Sequence, residues 1–289
     1  MNVRVEDKPN VPTMIAVVGG GQMGSGIAHA FLVSGFVVTV VEGTPELVDA
    51  ARARVVRLVQ ASHDRGVLPA PVDEVLGRAR FAETMTGVAG ANLVIEAVPE
   101  DLQLKSDVLA RAEAAADSNA VLATNTSSIS IDELSAQLAR PDAFLGLHFF
   151  NPVPASKLIE IVKGSRTSET TIGYAQTLVA AIAKSPIVVS DSPGFASSRL
   201  GVALGLEAIR MVEEGVATPE DIDAAMTLGY KHPVGPLRLT DLVGLDVRLG
   251  IATYLAARLG PRFEPPRLMH EMVDDGKLGK KSGRGFYEW

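Results

Sequence analysis

Two residues capable of acid–base chemistry, His148 and Glu160, stand twelve positions apart. Glu160 lies in the run 158–162, whose alternating pattern predicts a strand with one face turned inward. A carboxylate in such a strand must be solvated, paired or functional, because burying it alone costs free energy. Pro152 and Pro154 break the backbone between the two residues, so we expect His148 on a turn that folds back toward the strand.

The chemistry that this pair predicts is proton transfer. An imidazole oriented by a carboxylate is a common general base in enzymes. The alternative is structural, with His148 capped in the core and Glu160 on an edge strand. The pair alone leaves both interpretations open, so the elements that position it must be considered.

A glycine-rich segment, residues 19–26, follows an apolar β-branched run and precedes a run of helix-forming residues. Strand, glycine-rich turn and helix are the setting in which G-x-G-x-x-G binds a dinucleotide. Gly19 permits the tight turn, Gly21 lets a pyrophosphate approach the backbone, and Gly24 lets the helix pack closely. A turn without a ligand is the alternative. The predicted cofactor contacts here are Gly19, Gly21, Gln22, Met23 and Gly24.

Glu42 ends the next apolar run, residues 36–41. An acid at the end of the second strand hydrogen-bonds the adenosine ribose and repels a 2′-phosphate. Glu42 therefore predicts NAD rather than NADP, with a surface acid at a strand end as the alternative.

Three later apolar runs end in polar or proline-containing sequence. In an open α/β sheet, ligands bind outside the carboxyl ends of the strands. Ser127 also stands near a predicted helix start, so a capping role for it remains open. The runs are residues 92–98, 120–124 and 143–147. We expect the polar residues that follow these runs to converge on one crevice: Glu100, Lys105, Ser127 and His148.

Residues 45–80 are predicted to form a helical pair rather than a simple crossover. One face of the first helix carries Arg52, Arg54 and Arg57, and Arg65 follows near the turn. The face is either solvated surface or a contact for an anionic part of a substrate.

After Asp191 the pattern changes from strands to helices. A helix is predicted from Ala196 to Glu214, and Thr218 is the expected N-cap of the next one. We therefore predict an α/β protein: a Rossmann-type NAD-binding domain with a helical hairpin insertion over residues 1–191, then a smaller all-α domain over residues 192–289. The basic, glycine-rich tail, residues 276–287, either packs on this domain or attracts phosphates.

Composition narrows the functional class. The net charge of −7 argues against nucleic-acid and anionic-membrane partners, and the absence of cysteine excludes disulfides, thiol nucleophiles and thiolate metal sites. No metal-binding motif is present. The N-terminal residues are polar and lack an apolar signal core, so a cytoplasmic location is expected.

In combination, these motifs resemble the L-3-hydroxyacyl-CoA dehydrogenase family, including the bacterial 3-hydroxybutyryl-CoA dehydrogenases. The likeness runs from Ile15 to Tyr287 and rests on G-G-G-Q-M-G-S-G, N-T-S-S, H-F-F-N-P-V-P, D-S-P-G-F and K-S-G-R-G-F-Y. It implies an NAD-binding Rossmann domain, a helical domain that mediates dimerisation, and an acyl-CoA substrate. The implied roles are a catalytic base for His148, its partner for Glu160, and a ribose contact for Glu42. Glu100 and Lys105 are implied to contact the cofactor, and the Ser127 hydroxyl to contact both the reacting oxygen and the nicotinamide region of the cofactor.

One position departs from the family pattern. The family reads P-G-F-x-x-N-R, whereas this chain has Ser198 where the asparagine amide would lie against the substrate. A hydroxyl is shorter and cannot offer an amide's donor and acceptor together, although a water could bridge the gap. The change bears on rate and substrate choice more than on reaction type.

The function that the sequence predicts is reversible, NAD-dependent oxidation of a short-chain (3S)-3-hydroxyacyl-CoA, with catalytic residues His148, Glu160, Ser127 and Ser198. The likeness also implies a homodimer. Two alternatives remain: the same chemistry on an acyl-carrier-protein-bound or free hydroxy acid, and an NAD-binding protein without catalysis.

Overall fold

The computed structural model describes residues 14–289; the polar N-terminal residues behind the expected cytoplasmic location lie outside them. The chain divides between Asp191 and Ser192 into two compact units. Each unit has a hydrophobic core of its own.

The first unit is built on one eight-stranded sheet within the described residues. Its strands are β1 (Met14–Val18), β2 (Val37–Val41), β3 (Ala79–Ala82), β4 (Leu93–Glu96), β5 (Val121–Thr124), β6 (Phe144–Phe149), β7 (Leu158–Lys163) and β8 (Ser185–Ser190). Their spatial order is β3-β2-β1-β4-β5-β6-β7-β8. The first six strands are parallel in the order 3-2-1-4-5-6 of a Rossmann fold, which confirms the predicted fold class.

Helices cover both faces of this sheet, which explains why its strands read as continuous apolar runs. Ile15 and Val17 of β1 enter one core cluster, whereas Ala16 and Val18 enter a second cluster. The helices of this unit are α1 (Gln22–Val33), α2 (Pro45–Asp64), α3 (Val72–Leu76), α4 (Leu102–Ala115), α5 (Ile131–Ser135) and α6 (Glu169–Ala181).

The predicted helical pair at residues 45–80 takes the form of one long helix, α2, and a single short one, α3. A strand that the sequence pattern does not predict, β3, follows and pairs with β2 at the edge of the sheet. This four-residue strand is only partly buried, so it carries little of the apolar signal by which strands are found in a sequence.

The second unit is helical, as predicted. The Thr218 side chain accepts a hydrogen bond from the Asp221 amide, which confirms that Thr218 is an N-cap. The predicted helix at 196–214 is observed one residue shorter at each end. The helices are α7 (Ser197–Glu213), α8 (Pro219–Ala224), α9 (Pro236–Val243), α10 (Leu245–Leu259) and α11 (Arg267–Asp274), with a π-helical turn at Ala225–Gly229.

The C-terminal tail packs against this unit. The buried Asp241 side chain accepts hydrogen bonds from the amides of Phe286 and Tyr287 and from the indole N–H of Trp289. Of the two interpretations left open for the tail, the contacts support packing. Across residues 14–289, no helix is both long and apolar enough to span a membrane.

Candidate active site

His148 and Glu160 face each other across two paired strands. They are directly opposite in the antiparallel β6–β7 ladder, and the His148 Nδ1 atom lies 2.7 Å from the Glu160 carboxylate. The expectation that His148 sits on a turn is wrong: it is the penultimate residue of β6. The turn, with Pro152 and Pro154, comes after the strand, so cross-strand pairing creates the contact.

This geometry fixes the chemistry of the imidazole. Glu160 is fully buried and His148 almost so. An ionised carboxylate only accepts hydrogen bonds, so with Glu160 ionised Nδ1 is the nitrogen that carries a proton and donates it to this contact. The other ring nitrogen, Nε2, is then the basic one, which is the tautomer that a general base requires. Glu160 is also not on an edge strand, because β8 continues the sheet beyond it.

A second group of polar residues lies at the carboxyl ends of β4 and β5. One carboxylate oxygen of Glu100 accepts hydrogen bonds from the Thr126 hydroxyl at 2.6 Å and from the Ser127 amide at 3.0 Å. The amide and hydroxyl of Ser128 bind the same oxygen at 3.2 and 3.0 Å. Partial burial would raise the pKa of Glu100, but the charge of Lys105 and these hydrogen bonds lower it below the usual value.

The structure therefore brings Glu100, Lys105 and Ser127 together, as the strand-end argument predicted. The Ser127 hydroxyl lies 3.4 Å from the Glu100 carboxylate, and the Lys105 ammonium lies 3.4 Å from its other oxygen. Ser130, not Ser127, caps helix α5, so the capping alternative for Ser127 is removed.

Asn125 joins this group to the strand that carries His148. Its side-chain oxygen accepts a hydrogen bond from the Phe149 amide at 3.0 Å. Asn151, in the turn after β6, accepts a bond from Gln22 at the start of α1. Neither asparagine is predicted from the sequence, because an amide in a loop carries no periodic signal.

Glu96 is the other residue that the sequence argument missed. It ends β4, is fully buried, and lies 2.7 Å from the Lys105 ammonium. The signal was present: Glu96 stands in an apolar run, as Glu160 does, and a lysine follows nine residues later.

The glycine-rich loop has the shape that a dinucleotide requires. Gly19 has a φ of 99°, which is the left-handed region that favours glycine. A Cβ on Gly24 would lie 1.7 Å from the Gly19 carbonyl, so only glycine lets α1 approach β1 this closely. A Cβ on Gly21 would meet no atom within 4 Å, so the backbone there is open to a pyrophosphate.

Glu42 holds this loop from the end of β2. Its carboxylate accepts a hydrogen bond from the Gly20 amide at 2.6 Å. The Gly20 carbonyl in turn accepts bonds from the Ser25 hydroxyl and from Arg54. The residues present thus fit NAD: an open turn at a helix N-terminus, and a half-buried acid where a ribose is expected.

The remaining predicted positions lie elsewhere. Ser198 is the second residue of α7 in the helical unit and is partly buried. Arg52 stacks over the Phe81 ring at 4.4 Å, whereas Arg57 is exposed. No group of three His, Cys, Asp or Glu side chains within residues 14–289 could hold a metal ion.

A Rossmann sheet with a dinucleotide loop and a buried His–carboxylate pair is the arrangement of a two-domain NAD-dependent dehydrogenase. The comparisons with known proteins agree. The NAD-binding-domain model of 3-hydroxyacyl-CoA dehydrogenase matches residues 14–192, and the C-terminal-domain model of the same family matches residues 194–289. The chain belongs to the 3-hydroxyacyl-CoA dehydrogenase family, which confirms the resemblance and the predicted NAD cofactor.

Individual relatives match over nearly their whole length. A 3-hydroxybutyryl-CoA dehydrogenase of Mycobacterium tuberculosis is 43% identical over 279 residues, 95% of this chain and 98% of the relative. The crystal structure of (S)-3-hydroxybutyryl-CoA dehydrogenase from Ralstonia eutropha is 38% identical with a TM-score of 0.91, covering 96% of this chain and 99% of that one. A solved diketoreductase, whose description names dicarbonyl compounds, is 30% identical with a TM-score of 0.87, covering 97% of this chain and 100% of that one.

Proposed function

We propose that this chain catalyses the reversible NAD-dependent oxidation of short-chain (3S)-3-hydroxyacyl-CoA to 3-ketoacyl-CoA. The observation that carries the proposal is the buried His148–Glu160 pair in a member of this family. The names of the relatives support 3-hydroxybutyryl-CoA as the substrate.

In the oxidative direction, Nε2 of His148 takes the proton of the C3 hydroxyl. The hydride leaves C3, and the C3–O bond becomes a carbonyl. When bound, NAD would supply the hydride acceptor in its nicotinamide ring. Glu160 holds the imidazole in the productive tautomer and stabilises the imidazolium that forms. In the reductive direction His148 returns the proton to the 3-keto oxygen.

Two serines have proposed roles toward the substrate. The Ser127 hydroxyl hydrogen-bonds that oxygen, and the Glu100 network positions Ser127. Ser198 takes the place of the family's amide and contacts the substrate through its hydroxyl or a bridging water. The glycine loop, Glu42, Glu100 and Lys105 hold the cofactor.

A homodimer is also part of the proposal. Large apolar side chains in the helical unit are exposed to solvent in the single chain, including Leu200, Leu228 and Tyr230. Exposed apolar side chains commonly mark interfaces, and a second copy would bury these.

A second candidate function is the same reduction on a carbonyl compound without CoA, which the diketoreductase likeness favours. A substrate panel with NADH separates the two. We expect kcat/KM for acetoacetyl-CoA to exceed that for acetoacetate or a truncated thioester by at least about 100-fold, since binding energy from the CoA handle is used in the transition state. Equal kcat/KM values across the panel would contradict the CoA assignment.

The arginine face of α2 offers a second test of whether the substrate carries CoA. Arg54 is engaged by the Gly20 carbonyl, so exposed Arg57 is the better candidate for an anionic handle. If it contacts CoA, Arg57→Gln raises KM for acetoacetyl-CoA but not for the truncated thioester. Arg111→Gln, which alters an exposed arginine on α4, is the matched control.

A further inference from the structure

Glu96 is a buried carboxylate for which the proposed chemistry has no use. Its side chain is fully shielded from solvent at the carboxyl end of β4. One oxygen accepts bonds from the Val98 amide and the Lys105 ammonium, each at 2.7 Å, and the other accepts the Thr124 hydroxyl at 2.6 Å. A charged group so deeply buried is retained only where partners satisfy it. The partners of Glu96 lie in the turn after β4, on helix α4 and at the end of β5.

Lys105 stands between two carboxylates of different exposure. Its ammonium lies 2.7 Å from Glu96, 3.1 Å from the Val98 carbonyl and 3.4 Å from Glu100. The lysine side chain is 2% exposed, whereas that of Glu100 is 38% exposed. The shorter, fully buried contact with Glu96 therefore determines where the ammonium sits, and the longer contact places Glu100.

Glu100 in turn holds the loop that follows β5 through hydrogen bonds. It accepts the Thr126 hydroxyl and the amides of Ser127 and Ser128. Thr124 binds Glu96 at the root of the same loop. The Glu96 carboxylate is thus linked to this loop in two ways: through Lys105 and Glu100, and through Thr124.

We propose that Glu96 is a positioning residue for NAD binding: its buried carboxylate fixes Lys105 and, through it, Glu100 and the 126–128 loop. This inference rests on the proposed cofactor role of Glu100 and Lys105. Without the charge at Glu96, Glu100 becomes the only carboxylate within 4 Å of the Lys105 ammonium among the described residues. The ammonium then moves toward Glu100 and disturbs the oxygen that the loop amides bind.

The test measures NADH affinity directly, by fluorescence titration of the intact protein, alongside kcat and KM with acetoacetyl-CoA. Glu96→Gln keeps the shape and removes the charge, and we expect the Kd for NADH to rise at least about tenfold, since breaking one partner of a buried pair is costly. Glu96→Asp keeps the charge and recovers part of the affinity. At saturating NADH we also expect kcat for acetoacetyl-CoA to fall in Glu96→Gln, because the 126–128 loop carries Ser127, whose proposed role is on the reacting oxygen.

Glu113→Gln is the matched control. Glu113 is also a carboxylate ion-paired and hydrogen-bonded to backbone amides, and it lies on the same helix as Lys105, but its partners are at residues 139 and 140. We expect its Kd for NADH to match wild type. An unchanged Kd for Glu96→Gln, in protein with wild-type circular dichroism and melting, would overturn the proposal, and so would an Asp variant weaker than the Gln variant.

If Glu96→Gln does not fold, Thr124→Val provides the test, because it removes the hydroxyl that donates to Glu96 at 2.6 Å and accepts the Thr126 amide at 3.2 Å. We expect a rise of about two- to fivefold in the Kd for NADH, with Thr124→Ser close to wild type. Equal affinities for the two Thr124 variants would overturn the proposal. Since NADH binding is read without turnover, these results stay separate from any failure of wild type to reduce acetoacetyl-CoA.

Discussion

Among single residues, His148 and Glu160 matter most, because the proposed proton transfer depends on the contact between them. The pairing could be predicted because a carboxylate in an apolar run demands a partner. Its geometry could not be predicted, because the sequence does not show whether the strand ends before or after His148. Glu96 obeys the same rule and was still missed, since its partner Lys105 lies on a helix and not on a neighbouring strand.

Replacing Glu160 with glutamine should leave the fold intact and lower kcat. The amide can donate to Nδ1 and so favour the wrong tautomer, and it cannot stabilise an imidazolium. We expect kcat for acetoacetyl-CoA reduction to fall by about 10²- to 10⁴-fold with little change in the Kd for NADH. Initial rates of NADH oxidation measure this. A kcat within a few-fold of wild type would mean that Glu160 does not orient the base.

Among the secondary-structure elements of residues 14–289, the apolar pattern predicted β1, β2 and β4 to β7 but not β3, which is short and only partly buried. The contacts between helices were harder to predict from the sequence. His29 of α1 is buried and hydrogen-bonds Ser62 of α2 at 2.9 Å, a contact that no sequence motif announces. Burial, with the nearby charges of Arg65 and Lys184, lowers the pKa of His29 from 6.5 to about 4.

This shift predicts acid sensitivity in the packing of α1 on α2. The unfolded chain takes up the His29 proton near pH 6.5, whereas the folded chain resists it until about pH 4. The free energy of unfolding therefore falls as the pH drops through that window, by roughly 3 kcal/mol in total from this residue. Urea unfolding at pH 7.5, 5.5 and 4.5 measures the loss.

A glutamine at position 29 can still bond Ser62 but does not titrate. His29→Gln should flatten the dependence of unfolding free energy on pH, whereas the exposed-site control His63→Gln should leave it as in wild type. Parallel pH dependences for wild type and His29→Gln would show that other groups control acid stability.

At the scale of the whole molecule, the change from strands to helices after Asp191 was visible in the sequence, and the chain divides at that point. Composition and periodicity say nothing about association, because an exposed leucine on an amphipathic helix has the same spacing whether a partner covers it or not. The dimer therefore rests on family likeness and on the exposed apolar side chains of the helical unit.

Light scattering at micromolar concentration should give twice the mass of one chain. Leu228→Asp together with Tyr230→Asp places charges among side chains that are 74% and 76% exposed, and should shift the protein toward single chains. Val67→Asp, at an exposed valine of the first unit, should leave the mass unchanged. A single-chain mass for wild type would contradict the dimer.

The role of His148 in proton transfer is tested by comparing His148→Ala with wild type in NADH-dependent reduction of acetoacetyl-CoA. If His148 gives and takes the reacting proton, kcat should fall by about 10³-fold or more, while the Kd for NADH stays within about twofold. Near-wild-type turnover by His148→Ala, in protein that binds NADH and melts normally, would show that His148 does not transfer the reacting proton.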